Sequence, residues 1–319
     1  MENFPGVWNY ADQQEWLKRV TREELPPLII TVAITGGHPG KELNPNHPET
    51  PEEQAQQTYD CYNAGASMVH IHARDPNNPS MPTCDPAVFR RINALIRERC
   101  PDIIINNTTG GGLGSFEERL QPVEAGPEVA SIDMGPLALK FVLKKRPEAG
   151  RQEEFVFENI LPATFGSTEK YAKAMLDKGI KPELEVWHTG QLWLVRNLIE
   201  KGLVKPPYLI QFVMGFQSGA YATPKELLHL LESAPMPSVF FVLGVGPLQT
   251  YMITLGILLG LHVRTGMEDN VYYRRHEFCK NNAQLVERVV RIARELGREI
   301  ATPKQARQML GLSEKPSQY

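Results

Sequence analysis

The sequence predicts an α/β fold, a (β/α)8 TIM barrel preceded by an N-terminal extension. Short β-branched runs alternate with longer amphipathic segments from Leu28 onward, and eight such runs can be counted. Eight strands alternating with helices specify a parallel sheet, and eight is the number that closes a barrel. The competing architecture is a doubly wound open sheet. Its glycine fingerprint should follow the first strand, but Thr35-Gly36-Gly37-His38-Pro39-Gly40 does not fit GxGxxG. A barrel runs to about 250 residues before insertions, so the expected division is an extension over residues 1–24 and a single barrel domain over 25–319.

The extension is charged and mixed, with a helical stretch at residues 11–21 that packs under the barrel or against a neighbouring subunit. The strands are expected at residues 28–34, 67–72, 102–106, 129–133, 183–187, 208–213, 238–243 and 261–265. The first helix opens at Thr50-Pro51-Glu52-Glu53, a cap residue followed by proline and early acids. Further helices are expected at 85–99, 167–178, 190–201, 223–232, 248–259 and 281–296, with a weak one around 116–123. The segment 135–166 falls outside the repeat, carries a basic patch at 140–146, and reads as an active-site loop or an oligomer contact.

Composition narrows the function. The chain has 319 residues, 42% of them hydrophobic, and 34 basic residues against 37 acidic ones. Such balance offers no basic stripe to a phosphate backbone or an anionic membrane, which argues against a nucleic-acid partner. The N-terminus lacks the basic-then-apolar run of a signal peptide, and no window reaches the roughly 18 apolar residues of a membrane span. Cys61, Cys84, Cys100 and Cys279 are scattered without metal-type pairing, as expected of reduced thiols in the cytoplasm.

The sharpest chemical signal is His70-Ile71-His72-Ala73-Arg74-Asp75 at the end of the second strand. Strand side chains alternate faces, so the two histidines point the same way while Val69 and Ile71 suit the helix-packed face. That places both imidazoles inside the barrel near its C-terminal end, where barrel enzymes carry their sites. They are either two zinc ligands or a pair of hydrogen-bonded interior histidines. The eighth strand favours the first reading, because Arg264-Thr265-Gly266-Met267-Glu268-Asp269 brings acids to the same rim. His70, His72 and Glu268 form a His2Glu set that leaves one coordination position open. Asp269 is then available as a base, with Arg264 able to pair with it and keep it ionised; an ordinary salt-bridged strand end is the alternative.

Weaker signals surround these. Asn106-Asn107-Thr108-Thr109-Gly110-Gly111-Gly112 offers hydroxyls and backbone amides to a carboxylate or phosphate. Glu185 projects inward if Leu184 and Val186 face the helices, and there it needs a partner. Leu243-Gly244-Val245-Gly246-Pro247 lets a ligand approach the backbone closely, as a nucleotide-like tail would.

At these residues the chain resembles the β-keto acid cleavage enzymes, a family that includes 3-keto-5-aminohexanoate cleavage enzyme. The likeness runs from about Pro27 to Leu312 and rests on HIHARD, NTTGG and RTGMEDN as a set, with TVAITGG and PELEVW. It implies a zinc-bearing barrel, usually a homotetramer, that condenses a β-keto acid with acetyl-CoA to give acetoacetate and a new CoA thioester. His70, His72 and Glu268 match the family's zinc ligands, and Asp269 matches the base, with Arg264 as its partner. Thr108, Gly111 and Ser131 match positions that hold the keto acid's carboxylate. His38 stands where the aminohexanoate-cleaving members carry a glutamate that meets the substrate's ammonium, and Glu185 matches a second acid there. Pro247 replaces an arginine of some relatives. The alternative on the same fold is a metal-dependent aldolase or hydrolase that does not use acetyl-CoA.

Overall fold

A computed structural model describes residues 4–38, 40–110 and 114–319 of the chain. Its centre is a closed parallel barrel of β1 (Ile30–Ala33), β2 (Met68–Ile71), β3 (Ile104–Asn107), β4 (Val129–Asp133), β5 (Lys181–Val186), β6 (Tyr208–Met214), β7 (Ser238–Gly244) and β8 (His262–Thr265). Each strand pairs with its neighbours in sequence, and β8 pairs back onto β1 with Ile30 opposite Val263. The expected strands are all present, with no end shifted by more than two residues.

Alternation sorts the strand residues into two cores. Val69, Ile71, Leu184 and Val186 point outward into the shell between barrel and helices. Ile29, Met68, Ile104, Val129, Leu209, Val239 and Phe241 point inward and form an apolar floor. Fully burying each large side chain of this kind contributes about 1.5–3 kcal/mol.

The outer ring holds α2 (Pro51–Ala64), α3 (Pro86–Arg99), the short α4 (Phe116–Leu120), α5 (Phe165–Asp177), α6 (Leu192–Glu200), α7 (Pro224–Ser233), α8 (Gln249–Leu258) and α9 (Asn282–Glu295), preceded by α1 (Gln13–Thr21). Helix α2 starts as its sequence dictates: Thr50 and Glu53 form a reciprocal capping box, with proline in the first turn. The weak third helix is one and a half turns of α4 continued by a 3₁₀ segment, Gln121–Ala125. An additional helix, α10 (Pro303–Leu310), plugs the barrel floor through Ala306, Met309 and Leu310. The N-terminal segment lies against the same end: Trp8 is buried, and the Trp16 indole donates to the Leu258 carbonyl at 3.1 Å.

Three hairpins rise at the opposite, C-terminal end. Ala73–Asp75 pairs with Asn78–Thr83, and Tyr272–Arg274 with Glu277–Phe278. The longest joins Leu137–Leu143 to Phe155–Leu161 in a regular antiparallel ladder, so the segment outside the repeat is ordered β structure. It is pinned on two sides. Gln217 exchanges two 2.7 Å hydrogen bonds with the Lys140 backbone. Arg146 reaches Glu49 at 2.5 and 2.7 Å, and Arg151 reaches Glu42 at 3.1 Å. The basic patch is largely neutralised, since Lys140 and Lys144 also pair with Glu158 and Glu154.

Candidate active site

The floor of the site is a polar layer inside the barrel above the apolar one. His70 extends inward from β2 and His72 follows it, both buried. Glu268 reaches them from beyond β8, and glycine makes that approach possible. Gly36 has φ +75°, and a Cβ there would stand 2.7 Å from the Glu268 Cγ.

The three side chains expected as a ligand set converge: one donor atom from each lies within 4.8 Å of the others. The two Nε2 atoms are 3.3 Å apart, and Glu268 Oε1 is 3.3 Å from His72 Nε2 and 3.8 Å from His70 Nε2. A tetrahedral ion with Zn–N bonds of 2.0–2.1 Å holds its donors about 3.3–3.4 Å apart, so this spacing fits one shared cation. Donor chemistry agrees. Among the described residues, Glu268 Oε2 finds no hydrogen-bond partner, and neither do the outer Nδ1 atoms of His70 and His72. Two imidazole nitrogens face each other, and a cation would satisfy both lone pairs. Behind His70, Glu183 Oε2 accepts from Asn106 at 2.7 Å and lies 3.9 Å from His70 Nδ1, beyond hydrogen-bond distance.

Arg264 organises the acids beside this cluster. It grips Asp269 with two bonds, Nε to Oδ2 at 3.0 Å and Nη2 to Oδ1 at 2.9 Å. It also donates to Glu268 at 2.5 Å and to Glu185 at 3.1 Å. Burial works against the guanidinium charge, but the carboxylates of Asp269, Glu268 and Glu185 prevail and raise its value. For Asp269 the balance differs from the simple ionised pair read from sequence. Burial is the larger influence, Arg264 opposes it, and the carboxyl is held up at about 6. Glu185 faces inward as expected, and burial pushes its carboxyl well above the ordinary range.

A cavity of about 170 Å³ opens over these groups and is lined by His38, His70, His72, Thr108, Glu185, Arg264, Glu268 and Asp269. Thr108 accepts from the Gly110 amide at 3.0 Å. Ser131 sits one layer back, where its Oγ accepts from the Thr109 amide at 3.3 Å, so it supports this corner rather than lining the cavity. Gly111 lies outside the described residues. His38 is at the rim, its ring stacked on Phe141 with centroids 4.5 Å apart.

Sequence reasoning missed several wall residues. Asp133 and Trp187 line the cavity, as do Leu137, Leu139, Phe141 and Leu161 of the hairpin. For Asp133 a signal existed, since it stands two residues beyond Ser131 on the same face of β4. A second, larger cavity of about 1080 Å³ adjoins the first at Val245, Glu268 and Asp269, and is bordered by Gly246, Pro247, Tyr272, Arg274 and Arg275.

Comparison with known proteins places this geometry in a family. The chain matches the β-keto acid cleavage enzyme family over residues 27–312. It is 41% identical over 286 residues to the 3-keto-5-aminohexanoate cleavage enzyme of Fusobacterium nucleatum subsp. nucleatum, covering 89% of this chain and 98% of that protein. Identity to the 3-oxoadipate:acetyl-CoA acetyltransferase of Cupriavidus necator is 33% over 290 residues, or 90% and 95% of the two chains. Apo ObcA superposes with a TM-score of 0.64 at 19% identity, over 84% of this chain and 66% of ObcA, a likeness of fold. With the barrel, the motif set and the alignment in agreement over the same residues, the chain belongs to the β-keto acid cleavage enzyme family.

Proposed function

We propose that this chain condenses a β-keto acid with acetyl-CoA and releases acetoacetate and the acyl-CoA of the remaining R group, with zinc held by His70, His72 and Glu268. The observation that carries the reading is the convergence of those three donors beside an Arg264–Asp269 pair, in a cavity that adjoins a second, larger one. A zinc ion there would supply Lewis acidity to the keto oxygen and ease loss of the proton between ketone and carboxylate.

The chain's own groups do the rest. Thr108 holds the substrate carboxylate, and by family resemblance Gly111 and Ser131 match further positions that serve it. Asp269 takes the α-proton, and a carboxyl near 6 suits a base working at neutral pH. Arg264 keeps Asp269 aimed and balances charge as the proton moves. The carbanion attacks the acetyl carbonyl of acetyl-CoA, the CoA thiolate leaves that carbon and adds to the acyl carbon of R, and carbon–carbon cleavage frees the acetoacetate carbanion, which takes its proton back from Asp269. Acetyl-CoA enters through the larger cavity, whose wall at Val245, Gly246 and Pro247 lets a chain run close to backbone. The outward residues Val142, Val156 and Ile160 of the hairpin are 49%, 51% and 62% exposed, an apolar face that suits the expected homotetramer.

The test is to incubate the purified, zinc-loaded protein with acetyl-CoA and a panel of β-keto acids and to measure acetoacetate. Formation that requires acetyl-CoA supports the reading. Cleavage without acetyl-CoA would identify an aldolase or hydrolase instead, and absence of turnover across the panel would count against the reaction.

A further inference from the structure

The cavity has two chemically different sides. One carries the donor cluster, Thr108 and the Arg264 network. The other is apolar, and the long hairpin makes most of it. Leu137, Leu139 and Phe141 alternate onto its inner face while Ala138, Lys140 and Val142 point away. The rings continue: Phe141 lies 5.7 Å from Phe216, and Phe216 lies 4.9 Å from Trp187. His38 joins this wall by stacking on Phe141 with an interplanar angle of 21°.

Resting on the proposed reaction, we infer that the R group of the keto acid is an uncharged alkyl or aryl tail seated against Leu139, Phe141 and Phe216. The placement of charges around the cavity favours this class. Glu185, Glu268 and Asp269 are each bonded to Arg264 on the polar side of the cavity, and none belongs to the hairpin wall. Asp133 is the remaining acid of the lining: a Cβ at Gly110 would lie 2.9 Å from its Oδ2, and its carboxyl reaches the wall only at the Trp187 edge, away from Leu139 and Phe141 on the hairpin. A second carboxylate would find Arg264 as the cation among the described lining residues, already shared by three acids. A charged tail seated on Leu139, Phe141 and Phe216 would have to leave water without a partner on that wall. Each methylene that reaches the wall improves binding roughly fourfold.

The experiment compares tails twice. Turnover is followed as acetoacetate formed from 3-oxo acids bearing propyl, pentyl, phenyl, aminoalkyl and carboxyalkyl groups. Binding to the zinc-loaded protein is measured by calorimetry with the matching 2,2-dimethyl-3-oxo acids, which lack the α-proton and so test the seat without the reaction. The expected result is affinity for pentyl and phenyl tails at least about tenfold above that for either charged class. Leu139→Asp should narrow or reverse the gap to the aminoalkyl tail, with bound zinc unchanged. Equal or tighter binding of an aminoalkyl or carboxyalkyl tail by the unaltered protein would overturn the inference. If apolar tails bind best and no acid yields acetoacetate, the tail assignment stands and the proposed reaction fails.

Discussion

A methyl group at residue 266 has nowhere to go. Gly266 has φ +144°, and a Cβ would sit 1.9 Å from the Ala33 carbonyl oxygen, inside the seam where the chain leaves β8 beside β1. Gly266→Ala should therefore cost more than the ~1 kcal/mol that conformation alone takes, measured as a fall in Tm. At Gly36 the same change is aimed at Glu268. Gly36→Ala should lower zinc affinity, read by titration with a chelating competitor, more than it lowers Tm. Two neighbouring acids should separate cleanly. Glu268→Ala is expected to reduce bound zinc from about one ion per chain to near none, by atomic absorption. Asp269→Asn should keep the metal and slow turnover by about 10²- to 10⁴-fold. Retained activity would remove Asp269 from the mechanism. The donor set was legible because two residues on one strand face and a carboxylate at a strand end are positional statements. The back-row position of Ser131 was not, since it depends on how Thr109 folds over it.

Between residue and molecule stands the hairpin of Leu137–Leu143 and Phe155–Leu161. Its inner face was written in the sequence as a period-two apolar pattern, yet a segment outside the β/α repeat offers no register against which to read it. Its anchors come from far along the chain: Arg146 meets Glu49 and Glu42, all three nearly buried. Arg146→Met leaves two buried carboxylates without that partner and should cost about 3–5 kcal/mol. The expected signs are a lower Tm and new protease cleavage within residues 137–161; a variant as stable and as resistant as the parent would show the ion pairs to be dispensable. Helix α10 was missed for another reason. Its cap, Thr302 with Gln305, is plain in sequence, but nothing local says that eight residues near the chain's end close the barrel floor.

At the scale of the molecule, two histidines tie stability to acidity. His262 is completely buried and its Nδ1 accepts from the Ile29 amide at 3.0 Å. Burial, with Arg298 nearby, pushes its value well below 6.5. His47 is pushed down to about 4, chiefly by burial. Each is held neutral in the fold, so below about pH 6.5 the unfolded chain takes up protons that the fold refuses. Stability should be fully present above that pH and fall as acid is added, by about 1.4 kcal/mol per pH unit for each residue until its folded value is reached. The raised carboxyls of Asp269 and Glu185 act in the opposite direction over the same range, so denaturant titrations at pH 7.5, 6.5 and 5.5 compare the parent with His47→Asn: the parent should lose more stability with acid than the variant, and equal slopes would contradict the assignment. The barrel itself was the most legible part, because eight alternations repeat the same physical pattern and leave few ways to close.

The two-sided anchoring of the hairpin has a further consequence. The three converging candidate ligands come from the end of β2, the residue after it and the chain beyond β8, whereas one wall of the cavity is a ladder held by Arg146, Arg151 and two bonds to Gln217. On the proposed reading, chemistry and selectivity are thus borne by separable lengths of chain. A chimera that exchanges residues 137–161 for those of another family member, keeping both arginines, should retain its ion while adopting the donor's taste in substrate.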